Sequence, residues 1–441
     1  MGTIIGSAIF LIPSTIADLV SSPVLVLPIW IAGGVLTLFG ALSLAELGAM
    51  FPGAGGLYTY LREAYGLVPA FLYGWGLLAM IHSGSIAALA LGFSVYFGQL
   101  FGFGVGVQKI TSVACILLLT VVNWLGIHTG KLIQNILTVI KIGGMGVMIL
   151  LLFAHGAGKG LLSRAVHTHP PTQSAVSAVI ALIAILWAYE GWHVVSFAGG
   201  EMRSPRRDLP LSLLVGTLII FGLYILANGS YYVVMTPDEI RSTPAVAAVA
   251  MQKSFGKGAA ELISTLIAIS VLGSMNAMIM MGPRAYYAMA RDRMFFRAFG
   301  KLDARNGSPI IGLSLQGIWA SVLCCSGSYQ QVFTDVIFVA WLFYGLTVIG
   351  VMVLRRFKPD LERPYRVPGY PFLPLIFSLA AVGIAVTTIA KSPMRSLGGI
   401  ALILAGVPLF LFFRRYEPQG PGPEVVVANG MEISDRKGFH N

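Results

Sequence analysis

Apolar runs of about twenty residues follow one another along most of this 441-residue chain. Only 11% of the residues are charged, whereas a soluble domain carries roughly 25%. A helix of about 20 apolar residues spans a bilayer, and backbone inside lipid must satisfy its own hydrogen bonds. The runs are continuous, whereas the strands of a transmembrane β-barrel alternate apolar and polar residues. The pattern therefore predicts an all-α polytopic membrane protein.

We predict twelve transmembrane helices, separated by glycine, proline and charged residues. Their approximate bounds are 1–19, 25–49, 67–101, 109–126, 131–154, 175–200, 210–235, 258–289, 310–326, 331–355, 371–391 and 396–414. An even number of spans puts both termini on one side of the membrane. Most of the 29 lysines and arginines fall on that same side, so the positive-inside rule predicts cytoplasmic termini. This topology explains the net charge of +11 without a nucleic-acid partner.

The first span contains small, helix-weakening residues in the sequence GTIIGSAIF. A helix broken at Gly6, Ser7 and Ala8 would free backbone N–H groups at the positive end of the half-helix that follows. Such an end suits an anionic ligand such as a carboxylate. The alternative is a small-residue face for close helix packing, which membrane helices use routinely.

The sixth span contains a second interruption, WAYEGW, at residues 187–192. A break here would free the carbonyls of Trp187, Ala188 and Glu190 for an ammonium group or a cation, with Trp187 covering the site. The alternative is that the aromatic residues simply pack in the core, but a carboxylate in mid-span is costly and usually functional. Five spans separate the two breaks, as expected of two inverted repeats of five helices each.

The fifth span contains Lys141 within ILTVIKIGGMG, where apolar residues on both sides leave no easy route to the membrane surface. An amine in this position must find a partner, lie in a polar cavity or lose its proton. Lys141 is therefore predicted either to tie a broken helix through its carbonyls or to carry a transported proton.

Other polar residues within the spans are weaker candidates. Ser274, Asn276, Tyr224 and Asn228 are predicted either to line the polar interior or to join helices. Near the predicted cytoplasmic ends we expect ion pairs, either at a gate or within loops, rather than ligands; these involve Glu46, Arg62, Glu63 and Glu201. We find no catalytic motif, no metal-binding spacing among the three cysteines and no cofactor motif.

At these residues the sequence resembles the amino acid–polyamine–organocation (APC) superfamily, and within it the L-type amino acid transporters and their bacterial relatives. The resemblance rests on both breaks, on GALSLAELGAMFPGAGGLYTYLREAYG, on LGSMNAMIMMGPRAYYAMARD and on RRFKPDLERPYRVPGYP, in the family's order. It implies a LeuT-like fold with helices 1 and 6 discontinuous. The implied division is a transporter domain at 1–415, with repeats at 1–154 and 175–356, accessory helices at 371–414 and a disordered cytoplasmic tail at 416–441.

The resemblance also implies roles for particular residues. The substrate carboxylate would bind at the first break and the amine at the second, and Lys141 would link the first break to the eighth helix near Ser274, where related carriers hold sodium. The implied substrate-binding residues are Ile5, Gly6, Ser7, Ala8, Ile9, Trp187, Ala188, Tyr189, Glu190 and Gly191. The implied gating or coupling residues are Lys141, Trp187, Ser274, Tyr224, Asn228 and Asn276.

Two departures from the family pattern qualify these expectations. Ala8 stands where the motif usually has a glycine, which narrows the space beside the ligand. Only five residues precede Gly6, so we expect the first helix to be incomplete and the chain to be truncated at its N-terminus.

The expected function is sodium-independent transport of L-amino acids across the cell membrane, by exchange or coupled to protons. The alternatives are an amine or polyamine antiporter, suggested by Glu190, and a membrane sensor or assembly partner that does not transport. The expected partners are an amino acid, lipid and, as an open alternative, protons. The residues indicate neither an oligomeric state nor a cofactor.

Overall fold

The computed structural model describes residues 1–20, 23–53, 55–125, 127–156, 175–305 and 307–416. Most of the predicted tail, 417–441, lies outside the described residues. The α-helices run in the order α1 (Ala8–Leu19), α2 (Pro23–Met50), α3 (Leu57–Tyr65), α4 (Leu67–Gly76), α5 (His82–Phe101), α6 (Val105–Trp124), α7 (Ile127–Gly156), α8 (Ala175–Ala188), α9 (Pro205–Val234), α10 (Pro237–Arg241), α11 (Val246–Phe255), α12 (Lys257–Met281), α13 (Pro283–Arg291), α14 (Ile310–Ser326), α15 (Tyr329–Phe357), α16 (Phe372–Lys391), α17 (Pro393–Leu404) and α18 (Gly406–Tyr416). A π-helical turn, Leu77–Ile81, joins α4 to α5, and 3₁₀ turns cover Trp192–Glu201 and Arg297–Gly300.

Ten helical stretches of the described residues are long and apolar enough to cross a membrane. They are Val24–Met50, Leu67–Gly98, Val105–Trp124, Gln134–Gly156, Ser177–Glu201, Pro205–Val234, Lys257–Arg291, Tyr329–Phe357, Phe372–Lys391 and Pro393–Arg415. Two further apolar helices, Ala8–Leu19 and Ile310–Ser326, are shorter. The expected polytopic, all-helical class is confirmed, whereas the count of twelve spans and the inverted repeat stay predictions.

Both predicted interruptions are irregular in the structure. Residues 2–7 form turns and bends, and regular helix begins only at Ala8. Helix α8 ends at Ala188, and after three turn residues the chain continues as the 3₁₀ segment Trp192–Glu201. Gly191 has a φ of 96°, a left-handed conformation that glycine adopts without steric cost. The backbone leaves the α-helix at both places, so its polar groups there are not all used within the helix.

The helices around these two breaks fix their relative position. Helix α1 packs against α8, so the two breaks lie side by side. Helix α12 packs against both α5 and α7, and α15 packs against α5 and α8. The breaks are therefore enclosed by helices that are distant in sequence.

At the predicted cytoplasmic ends, the Glu46 side chain of α2 is 1% exposed. Its two carboxylate oxygens accept hydrogen bonds of 2.9 and 2.6 Å from Arg355. The backbone N–H of Val367 donates to the same carboxylate at 2.7 Å. A charge this deeply buried is tolerated because an opposite charge and hydrogen bonds compensate it.

The other predicted gate residues also make ion pairs at this end. Arg62 pairs with Asp292 and with Glu63. Arg284 donates to Glu201 at 2.5 Å, which joins α13 to the end of the 3₁₀ segment. Whether these pairs open during a transport cycle stays a prediction.

Candidate substrate site at two helix breaks

The first break presents free backbone donors at the start of α1. The Ser7 carbonyl accepts hydrogen bonds from the N–H groups of Phe10 and Leu11, each at 3.1 Å. Within the described residues, the N–H groups of Ser7, Ala8 and Ile9 donate to no acceptor. All three residues are buried, Ser7 and Ile9 completely. Three unused donors at a helix N-terminus are the kind of backbone groups that suit a carboxylate.

Lys141 of α7 holds the carbonyl side of the same break. Its Nζ atom, on a residue that is 3% exposed, donates to the carbonyls of Gly2 at 2.9 Å and Ile5 at 3.2 Å. The Ser270 carbonyl oxygen and the Ser274 hydroxyl oxygen lie 3.0 and 2.9 Å from the same Nζ atom, so four acceptors share its three N–H donors. Within the described residues no carboxylate forms an ion pair with Lys141. The ammonium group therefore occupies a cage of neutral oxygens where a small cation would otherwise fit.

Two serines of α12 complete this cage. Ser274 Oγ lies 2.6 Å from the Ile5 carbonyl oxygen, and Ser270 Oγ donates to the same oxygen at 3.1 Å. Ser270 was missed in the sequence, although its spacing of four residues from Ser274 places both on one helix face. The Ile5 carbonyl thus has three donors around it and is held away from helical geometry.

The second break lies against the first. The Thr3 hydroxyl donates to the Gly191 carbonyl at 3.0 Å, a direct link between the breaks that the sequence did not indicate. The Trp187 carbonyl accepts the Glu190 N–H at 3.0 Å. The carbonyls of Ala188 and Glu190 accept no hydrogen bond from the described residues. These oxygens supply the acceptor side that an ammonium group requires.

Trp187 is covered by two aromatic residues of α15. Its indole N–H donates to the Tyr329 hydroxyl at 2.9 Å, and its ring stacks on Phe333 with a centroid separation of 5.8 Å. Ser7 Oγ lies 3.5 Å from the same Tyr329 hydroxyl. Tyr329 therefore joins both breaks and closes them from one side. Its position at the start of a helix carries no sequence signal for this role.

The remaining candidates lie at different distances from the breaks. Tyr224 donates its hydroxyl to the Ile4 carbonyl at 3.0 Å and packs against the Tyr189 ring, so it supports both breaks. Asn228 donates to the Tyr224 carbonyl within its own helix. Asn276 accepts a hydrogen bond of 2.7 Å from Asn123 of α6, which joins two helices on another side of α12.

The Glu190 carboxylate faces α15. It is 5% exposed and accepts the Tyr344 hydroxyl at 2.6 Å. Its nearest titratable neighbour on its own chain segment is the fully buried His193, whose Nδ1 atom lies 3.7 Å away. The carboxylate is therefore part of a second polar cluster behind the break.

Close packing around the first break depends on glycines. A Cβ atom built on Gly92 of α5 would lie 2.5 Å from the Ser7 Cβ atom. A Cβ atom on Gly6 would lie 2.7 Å from Leu89 and 3.8 Å from Ser274. The break is enclosed too tightly for a larger side chain at Gly92, whereas at Gly6 the end of the Leu89 side chain would have to move.

A cavity of about 570 Å³ borders both breaks on the side of residues 1–4. Its lining includes Thr3, Gln134, Thr138, Gly191 and Thr217. No metal-binding group of three or more histidine, cysteine or acidic side chains occurs among the described residues.

Comparison with known proteins places this geometry in context. Residues 1–412 match the family model described as "Amino acid permease". The chain is 33% identical over 430 residues to human b(0,+)-type amino acid transporter 1, covering 95% of this chain and 86% of the relative. It is 30% identical over 413 residues to the serine/threonine exchanger SteT of Bacillus subtilis, covering 93% of each. The human cystine/glutamate transporter is 28% identical over 425 residues, covering 94% of this chain and 83% of the relative.

Proposed function

The chain belongs to the amino acid permease family, and from that premise we propose that it exchanges L-amino acids across the cell membrane without sodium. It is a multi-pass membrane transporter and not an enzyme. Two of its relatives are named for particular amino acids, serine and threonine in one case and cystine and glutamate in the other. We further propose that both termini face the cytoplasm.

The observation that carries the proposal is the adjacency of free donors and free acceptors. The N–H groups of Ser7, Ala8 and Ile9 would bind the carboxylate of the substrate. The carbonyls of Ala188 and Glu190 would bind its ammonium group. Both sets of atoms belong to the backbone, so they recognise the part that all α-amino acids share and leave the side chain to the surrounding helices.

The position of Lys141 supports the proposed sodium independence. Its ammonium group already contacts three backbone carbonyls and one hydroxyl, the kind of oxygen ligands that a sodium ion would require. A second cation in the same cage would be repelled by the first. We therefore propose that Lys141 holds the first break in its unwound form and replaces a coupling ion.

The test is exchange by the purified full-length chain in liposomes loaded with L-serine or L-leucine. External labelled substrate should enter only when internal substrate is present, and replacing sodium with choline should leave the rate unchanged. Lys141→Ala should abolish exchange because it leaves several buried carbonyls without a donor. The matched control is Lys257→Ala, since the Lys257 side chain is 85% exposed.

Sodium-dependent uptake, or full exchange by Lys141→Ala, would contradict this mechanism. Thermal unfolding in detergent separates a loss of function in Lys141→Ala from a failure to fold. Stabilisation by amino acids without any flux would instead favour the sensor alternative.

One observation favours a second candidate, an amine or polyamine antiporter. The Glu190 Oε2 atom is buried and has no hydrogen-bond partner among the described residues, so it is available to a cationic ligand. Competition for exchange of labelled arginine by unlabelled putrescine and by unlabelled leucine separates the two functions. Strong inhibition by putrescine with none by leucine would favour the antiporter.

A further inference from the structure

The carboxylate of Glu190 is buried without a compensating cation. Within the described residues no lysine or arginine pairs with it, and its single ion-pair neighbour is His193. Tyr344 donates to Oε1, but Oε2 has no partner. An isolated buried carboxylate is too costly to persist as a charge, whereas the protonated acid is neutral. Burial therefore favours the acid form of Glu190, which carries one additional proton.

The hydrogen-bond geometry assigns the position where that proton binds. Tyr344 uses its single hydroxyl proton to donate a hydrogen bond to Glu190 Oε1, with 2.6 Å between the two oxygen atoms. The Tyr344 hydroxyl oxygen also lies 3.4 Å from His193 Nε2. Because the hydroxyl proton is already donated to Glu190, the imidazole is the donor in this contact, which assigns the tautomer protonated at Nε2. His193 Nδ1 is left with a lone pair, no hydrogen-bond partner and Glu190 Oε1 at 3.7 Å. A basic nitrogen therefore lies 3.7 Å from a buried carboxylate whose other oxygen, Oε2, has no hydrogen-bond partner among the described residues.

We propose that Glu190 and His193 form a binding site for one exchangeable proton, whose occupancy is coupled to opening of the second break. This inference rests on the proposed transport function for its coupling, but not for the proton site itself. The proton comes from bulk water and forms an O–H bond at Glu190 or an N–H bond at His193 Nδ1. It returns to water when that bond breaks, so no other reactant is needed.

The surroundings contain titratable groups, but within the described part of the chain no lysine or arginine forms an ion pair with the carboxylate. Tyr344 reaches the site from α15, Tyr73 from α4 and His82 from α5. The ring centroids of His82 and His193 lie 6.2 Å apart. Neither nitrogen of His82 makes a hydrogen bond to the described residues. The backbone of Met278 on α12 faces the His82 ring.

The other helices that pack on the 3₁₀ segment bring no charge into ion-pair distance of Glu190 or His193. These are α2, α9, α12 and α13. Arg284 of α13 pairs instead with Glu201, at the far end of the segment. Among the described residues the carboxylate thus has no fixed opposite charge, and a proton can neutralise it.

The position of the site couples it to the substrate. Glu190 lies within the second break, next to Gly191. Tyr344 belongs to α15, the helix whose Tyr329 covers Trp187. Movement of α15 away from the break would remove the donor of Glu190 and admit water at the same time. Closure favours the protonated site, and opening lets the carboxylate ionise in water.

The first experiment reads the proton directly and needs no substrate. Infrared difference spectra of the full-length protein in lipid are recorded across a pH step. A buried carboxylic acid should give a C=O band in wild type that is lost in Glu190→Gln. The control Glu362→Gln should keep the band, because the Glu362 side chain is 70% exposed. Identical spectra for wild type and Glu190→Gln would overturn the proton site.

The second experiment tests coupling through leucine homoexchange between pH 5.5 and 8.5. The wild-type exchange rate should be constant on one side of a single midpoint and should change about tenfold per pH unit on the other side, as a single-proton titration requires. Glu190→Gln should exchange at a rate that varies less than about twofold over that range. Tyr344→Phe keeps the ring but removes the donor to the carboxylate, so its midpoint should move to higher pH.

The outcomes separate the two proposals. Exchange with the same pH profile in wild type, Glu190→Gln and Tyr344→Phe would overturn the coupling. Absence of exchange at every pH would overturn the proposed transport function, while the infrared band would still decide the proton site.

Discussion

The contact between Gly92 and Ser7 offers a sharp test of the first break. Gly92 belongs to α5, and a Cβ atom at this position would lie 2.5 Å from the Ser7 Cβ atom. Carbon atoms in contact are normally about 3.5–4.0 Å apart, so Gly92→Ala requires a shift of about 1 Å. Rotation of the Ser7 side chain cannot relieve the clash because Cβ itself is involved. The backbone that carries the N–H donors must move.

The expected cost follows from that displacement. Overpacking of a close-packed interior costs about 1–3 kcal/mol. If the cost falls on the substrate-bound state, apparent affinity for the amino acid should drop by about 5- to 150-fold, since 1.4 kcal/mol is a factor of ten. The loss should appear mainly in KM for exchange, because substrate binding uses the displaced donors.

Matched variants make the assay decisive. Gly76→Ala adds the same methyl group to a buried glycine of the same membrane span, where the nearest atom would be 3.4 Å away. It should exchange like wild type. The double variant Ser7→Gly with Gly92→Ala removes the clash but keeps the N–H donor at position 7, so it should recover most of the lost affinity. A KM in Gly92→Ala equal to that of wild type would refute the predicted displacement of the N–H donors. A double variant that does not recover substrate affinity would refute it as well.

Two further predictions concern stability. Glu46→Gln should lower the free energy of unfolding by about 3–5 kcal/mol, because it leaves Arg355 without its buried partner. Glu362→Gln breaks an exposed pair and should cost less than about 1 kcal/mol; equal losses in detergent unfolding would contradict the burial argument. Outside the spans, the hydrogen bond from Lys253, with help from a backbone N–H, holds the pKa of Glu239 below its ordinary value. The stabilisation is therefore present above the ordinary glutamate pKa and is lost as the pH falls through the lowered pKa. Glu239→Gln should flatten that part of the plot of unfolding free energy against pH. A plot that is the same as for wild type would contradict this prediction.

The two breaks were predictable because their causes are local. Gly6, Ser7 and Gly191 weaken a helix wherever they occur, and a mid-span carboxylate such as Glu190 marks a polar environment. Lys141 was recognisable for the same reason. The roles assigned to these residues stay proposals until exchange and its variants are measured.

Other features of the site could not be read from the sequence. Tyr329 covers Trp187 from 142 residues away, and it begins a helix with ordinary capping residues. For Asn276 the sequence left open whether it lines the polar interior or joins helices, and in the structure it accepts a hydrogen bond from Asn123 on a neighbouring helix. A polar residue on a membrane helix shows that it needs a partner without showing on which side that partner lies.

The sequence by itself indicated that this protein lies in a lipid bilayer, and it indicated the approximate membrane spans and the two places where helices stop. Those properties depend on hydrophobicity and on backbone preferences, which act over a few residues. The tertiary structure decided which polar atoms meet, as for Lys141 with the Gly2 carbonyl 139 residues away and Glu190 with Tyr344 154 residues away. Membrane helices are apolar toward both lipid and protein, so the sequence pattern does not record their rotation or depth. Packing alone brought the two breaks, the lysine and the buried carboxylate into one site.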